Sequence, residues 1–158
     1  MGVNVLTVEA RIKELGYDLP TAPKPVAAYV PAVRTGNLVY TSGQLPSVSG
    51  ALKFKGQVGK DLTVEEGYAA ARLCALNALG ALRGVVGDLD RVVRIVKVVG
   101  FVNSAPGFEA QPKVINGASE LLGMIFGEAG QHARSAVGVS ALPMDSPVEV
   151  ELIAEVRD

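Results

Sequence analysis

An arginine, Arg134, and a glutamate, Glu151, stand in two apolar, strand-like segments late in the 158-residue chain. The first runs from His132 to Pro143 (HARSAVGVSALP) and the second from Val148 to Ala154 (VEVELIA). An arginine at a strand end is a permanently charged fork suited to a carboxylate. A carboxylate inside an apolar strand is costly unless it has a task or a partner. Together the two read as a binding site for a small acid. Period-two alternation puts Arg134, Ala136, Gly138 and Ser140 on one face. Ser135, Val137, Val139 and Ala141 take the other, which reads as the core side. The small residues beside Arg134 leave room for a ligand or a neighbouring subunit. The competing reading is an arginine ion-paired at an interface. Glu149, Glu151, Ile153 and Glu155 share one face, and most such rows are solvated. The turn between the two strands does not fix their register, so spacing alone does not bring Glu151 to Arg134.

A second candidate is Leu38 to Pro46 (LVYTSGQLP), a strand ending in small polar residues. Ser42 and the backbone of Gly43 can donate hydrogen bonds there, although ordinary turn chemistry also explains them. Tyr29 offers a hydroxyl, against the commoner role of a strand tyrosine in packing. Cys74, the only cysteine, lies among alanines and leucines and reads as a buried, inert thiol. His132, the only histidine, reads as a solvent-exposed loop residue at the edge of the site. One histidine and one distant cysteine cannot build a zinc site. The chain has no glycine-rich phosphate loop, and a serine triad has no base other than His132.

The elements that must position these residues are legible. A short helix over Val5 to Leu15 has Thr7 as cap and Gly16 as stop. A proline-rich link, Pro20 to Pro25, is extended. Strands are expected over Ala27 to Val33 and Leu38 to Ser42, joined by Thr35-Gly36-Asn37, with a weak strand near Leu52 to Phe54. Thr63 and Glu66 form a capping box for a helix reaching Val86, which Gly87 ends. Arg91 to Val102 reads as a buried strand, Glu109 to Phe126 as a helix, and Arg134 to Ala141 and Val148 to Val156 as closing strands. This order predicts one α+β domain over residues 1–158, with residues 1–20 as a helical extension. Its mixed sheet carries two long helices on one face.

Hydrophobic residues make up 49% of the chain, and mean hydropathy is +0.31. That predicts apolar surface buried between copies in a symmetric oligomer. Net charge is −1, and no basic block is present. Nucleic acid is therefore not an expected partner. The run Val92 to Val102 is too short and too interrupted to span a bilayer. With no leader-type segment at Met1 to Asn4, the cytoplasm is the expected compartment.

The segments LVYTSGQLP (Leu38 to Pro46), ARSAVGVSALP (Ala133 to Pro143) and VEVELIA (Val148 to Ala154), with Gly100-Phe101-Val102, resemble the RidA/YjgF family of reactive-intermediate deaminases. The likeness extends from about Tyr29 onward. It implies a chorismate-mutase-like α+β fold, a homotrimer and ligand clefts between subunits. It implies hydrolysis of small enamine and imine acids to keto acids and ammonia, with no metal or organic cofactor. Carried over, Arg134 clamps the substrate carboxylate and Glu151 orients the attacking water. Tyr29, Ser42, Gly43 and the backbone of Ala136 line the cleft. Ala136 stands where the family has a cysteine, and an asparagine frequent in the family aligns near Pro106, so that its contact is missing. The alternatives are a non-catalytic trimer that binds small carboxylates and a purely structural trimer. A ribonuclease is disfavoured by the absence of a basic groove.

Overall fold

The computed structural model describes residues 5–22, 24 and 28–158. Helix α1 spans Val8–Glu14, and the Thr7 hydroxyl caps it by accepting from the Ala10 N–H at 3.1 Å. Strands β1 (Ala32–Thr35) and β2 (Leu38–Thr41) form a hairpin, with Gly36 at φ 56° in its turn. A two-stranded ribbon follows, β3 (Ser47–Val48) and β4 (Ala51–Leu52). Then come α2 (Val64–Val86), β5 (Val92–Asn103), α3 (Gln111–Phe126), β6 (Ala133–Val139) and β7 (Val148–Val156). The capping box at Thr63 and Glu66 forms in both directions, and Gly87 closes α2 at φ 81°.

The main sheet has the order β1-β2-β7-β5-β6 and is antiparallel except for the β5–β6 pair. Helices α2 and α3 cover one face. Val39, Ile95, Val98, Val102, Val150, Leu152 and Ala154 point into them and are fully or almost fully buried. This is the mixed α+β architecture expected. α2 has the length and hydropathy of a bilayer span, but its apolar residues are those of this core. α3 lies close on α2 because Gly117 has no side chain to strike the Tyr68 carbonyl. Gly80 likewise admits the Pro20 carbonyl of the proline-rich link. α1 docks at the far end of the helices. Ile12 is buried, the Val8 N–H donates to Asp90 at 2.8 Å, and Arg11 donates to the Ile125 carbonyl at 3.1 Å.

Two expectations are corrected. The first strand starts at Ala32, not at Ala27, which lies outside the described residues. Pro31, which has no N–H to pair, marks its boundary. Residues 28–29 form a bend, and Tyr29 is 67% exposed. The second correction concerns β6. Its core side carries Arg134, Ala136 and Gly138, whereas Val137 on the opposite face is 44% exposed. β6 is an edge strand, and α3 lies over its small-residue face. The face of the sheet away from the helices is uncovered, as two helices on one face imply. Val33, Tyr40 and Val137 are 53%, 43% and 44% exposed on it.

Candidate functional site

Arg134 leaves β6 toward α3. Its Nη1 donates to Asn116 Oδ1 at 2.8 Å and to Ser119 Oγ at 3.2 Å. Both acceptors are neutral, and Arg134 forms no ion pair among the described residues. One terminal nitrogen is thereby saturated. The Nε–H and both Nη2 hydrogens stay available, and these make the side-on fork that grips a carboxylate. A 380 Å³ cavity lies beside the guanidinium, lined by Asn116, Ser119, Gly123, Gln131 and His132.

His132 is half-buried rather than a free loop residue, which corrects the sequence expectation. Its Nδ1 lies 2.7 Å from the Gly130 carbonyl and its Nε2 lies 2.9 Å from Ser119 Oγ. Burial lowers its pKa; the Gly130 carbonyl opposes this, and the Arg134 charge adds to it. Nothing in the sequence spacing announced the contact with α3.

The remaining candidates gather elsewhere. The Ser42 hydroxyl donates to the Val30 carbonyl at 2.6 Å, and the Ser42 N–H donates to Pro31 at 2.7 Å. These bonds hold the loop after β2 beside the segment carrying Tyr29. Gln44 and Val150 exchange two backbone bonds, of 2.8 and 3.0 Å, which lay Gly43 alongside Glu149. A side chain at Gly43 would collide with the Glu149 carboxylate. The Gly43 N–H makes no hydrogen bond among the described residues. Glu151 lies one pleat further along the same face, in a 260 Å³ depression with Tyr40, Lys97, Val99 and Ile153.

Sequence reasoning weighed Glu149 only as one of a row. The signal that separates it from Glu151 is the Gln44–Val150 bridge, a tertiary contact. Burial raises the Glu149 pKa, and the like charge of Glu151 adds to the shift. Its folded pKa therefore exceeds its unfolded value. The resulting stabilisation is present below the unfolded pKa and lost as pH rises through the folded one. Glu149→Gln is expected to raise Tm at pH 7 by on the order of 1–3 °C. The gain should vanish as pH falls through the ordinary carboxylate range, which melts between pH 4 and 8 would check. Cys74 is fully buried, and desolvation, assisted by Glu149, raises its pKa well above the usual thiol value. It is the inert thiol expected.

Arg134 and Glu149 do not meet within one protomer. Arg134 is in register with Val98 and Leu152, and Glu149 with Phe101. The two Cα positions are thus two strands apart and three residues out of step, roughly 10 Å in each direction. Their side chains also leave opposite faces of the sheet.

A model described as YjgF/chorismate mutase-like, an endoribonuclease-type description, matches residues 9–156. The chain belongs to this family. Protein TCP17 of Trypanosoma cruzi is 47% identical over 152 residues, covering 96% of this chain and 95% of that protein. A 2-iminobutanoate/2-iminopropanoate deaminase of Dermatophagoides farinae is 30% identical over 140 residues, covering 87% and 93%. The crystal structure of Atu1372 from Agrobacterium tumefaciens, a protein of unknown function, superposes with a TM-score of 0.90 at 46% identity, covering 95% and 92%. The arginine site and the Gly43–Glu149 contact described above are features of this chain's own geometry.

Proposed function

We propose that the protein hydrolyses small 2-imino acids, and their enamine tautomers, to 2-keto acids and ammonia. The observation that carries this reading is Arg134, an arginine that lines a cavity, whose partners are neutral and whose side-on fork makes no hydrogen bond among the described residues. The deaminase relative supports the choice of reaction. Arg134 holds the substrate carboxylate in two parallel hydrogen bonds. A water adds its oxygen to the imine carbon and gives a proton to a carboxylate. We assign that base to Glu149 rather than Glu151. Glu149 lies against Gly43, whose free N–H is available to the substrate, and its raised pKa brings its basicity nearer the operating pH. Glu149 then returns the proton to nitrogen. The hydroxyl proton then passes through Glu149 to the departing nitrogen as the C–N bond breaks, so that ammonia leaves, the keto carbonyl forms and Glu149 is again a carboxylate. Glu151, assigned this task from the sequence, supports it through its charge.

Because Arg134 and Glu149 leave opposite faces, one small acid can touch both only across two protomers. We therefore place the site at an interface in a homotrimer, with Tyr29, Ser42, Gly43 and Glu149 from one copy facing Arg134 and the Ala136 backbone of the next. The uncovered sheet face, with its exposed Val33, Tyr40 and Val137, is the surface such assembly would bury. Light scattering should give three times the 16.4 kDa protomer mass.

The test couples the protein to a serine or threonine dehydratase in the presence of a competing amine and follows keto-acid formation. Acceleration over buffer is expected, and a rate equal to buffer would end the catalytic reading. A second reading, carboxylate binding without turnover, is favoured by Ala136, which offers no side-chain functional group to a cleft. It predicts thermal stabilisation by 2-oxobutanoate with no acceleration in the same assay.

A further inference from the structure

The hydrogen bonds around Arg134 form a chain with a single consistent direction. The Gly130 carbonyl can only accept, so the proton of neutral His132 sits on Nδ1, 2.7 Å away. His132 Nε2 is then an acceptor, and the Ser119 hydroxyl, at 2.9 Å, must donate to it. With its proton committed to His132, Ser119 turns its lone pairs to Arg134 Nη1 at 3.2 Å. Asn116 Oδ1, at 2.8 Å, takes the other Nη1 hydrogen. Every donor on that nitrogen is used, and every acceptor facing it is neutral.

We infer that Asn116, Ser119 and His132 are positioning residues for Arg134: they lock one terminal nitrogen of the guanidinium so that its Nε/Nη2 edge is presented, at full charge, to a single carboxylate. This rests on the reading of Arg134 as the carboxylate clamp. A long, flexible side chain at an edge strand otherwise samples several rotamers, and fixing it in advance lowers the cost of binding. A carboxylate partner would fix the side chain equally well but would neutralise it. Neutral amide and hydroxyl acceptors orient it and leave the charge for the ligand. The order of the residues serves the same end. Asn116 and Ser119 are three apart on α3, hence adjacent on one helix face, while His132 and Arg134 are two apart in and before β6. The packing of α3 on β6 therefore sets the aim of the arginine.

The experiment measures 2-oxobutanoate binding by isothermal titration calorimetry, and KM and kcat in the coupled dehydratase assay. The variants are Ser119→Ala, His132→Phe, Ser119→Thr and Arg134→Ala. Ser119→Ala and His132→Phe should each weaken binding and raise KM about tenfold, with kcat within about twofold of wild type. Ser119→Thr, which keeps the hydroxyl, should restore both. If Ser119→Ala and His132→Phe bind 2-oxobutanoate like wild type while Arg134→Ala does not, the positioning role is wrong and the carboxylate clamp stands. If Arg134→Ala also binds like wild type, both fail. Should His132→Phe not fold, Ser119→Ala and its Ser119→Thr rescue decide the matter alone.

Discussion

Replacing Arg134 by alanine is expected to lower kcat/KM for 2-imino acids by about 100- to 1,000-fold, the usual cost of deleting one partner of a hydrogen-bonded charge contact. The fold should survive. Arg134 is only half-buried and forms no ion pair among the described residues, so no buried countercharge is orphaned. Asn116 and Ser119 lose a donor at the edge of an open cavity, where water can replace it. Tm should therefore move by no more than a few degrees. Arg134→Lys is not expected to rescue activity. An ammonium has the charge but lacks the planar fork, and one nitrogen cannot serve Asn116, Ser119 and both carboxylate oxygens in those directions. Steady-state kinetics of the three proteins in the coupled assay, beside thermal melts, would check this. An Arg134→Ala protein with wild-type turnover would remove the proposed function.

The second large effect concerns stability. Gly117→Val is expected to cost about 3–4 kcal/mol and Gly117→Ala about 2 kcal/mol. Helix propensity alone predicts the opposite sign for alanine, a gain of up to about 1 kcal/mol. Sterics win because a Cβ at Gly117 would strike the backbone carbonyl of Tyr68, which cannot rotate away as a side chain does. The only relief is to pull α3 off α2, which opens the core along Leu121 and Leu79. Gly123, six residues later in the same helix, is the internal control. It has nothing within 4 Å of where a Cβ would stand, so Gly123→Ala should stabilise by about 0.5–1 kcal/mol. Urea denaturation of the three variants reads the sign directly. Because α3 also carries Asn116 and Ser119, Gly117→Val should weaken 2-oxobutanoate binding before it unfolds the protein.

Local chemistry made most of the elements legible. Thr7, Thr63 with Glu66, and Gly87 act within one or two helical turns of themselves, so their effect is written in neighbouring residues. The alternation Val148, Val150, Leu152, Ala154 gave β7 one buried face because that strand lies inside the sheet with helices on one side only. β6 broke the same rule. It is an edge strand whose core side carries Arg134, Ala136 and Gly138, and whose valines face outward. Periodicity identifies two faces but not which is buried, and here the close packing of α3 chose the face with the small residues.

The sequence by itself determined that an arginine and acidic residues sit in adjacent apolar segments, that helices and strands alternate as one α+β unit, and that the YjgF resemblance is real. Those facts depend on residue type and short-range spacing. Only the tertiary structure decided that Arg134 and the glutamates leave opposite faces, that the Gln44–Val150 bridge brings Glu149 to Gly43, and that His132 reaches Ser119. Strand order and register are set by contacts between residues far apart in the chain. A shift of one residue would invert every face without changing the local pattern.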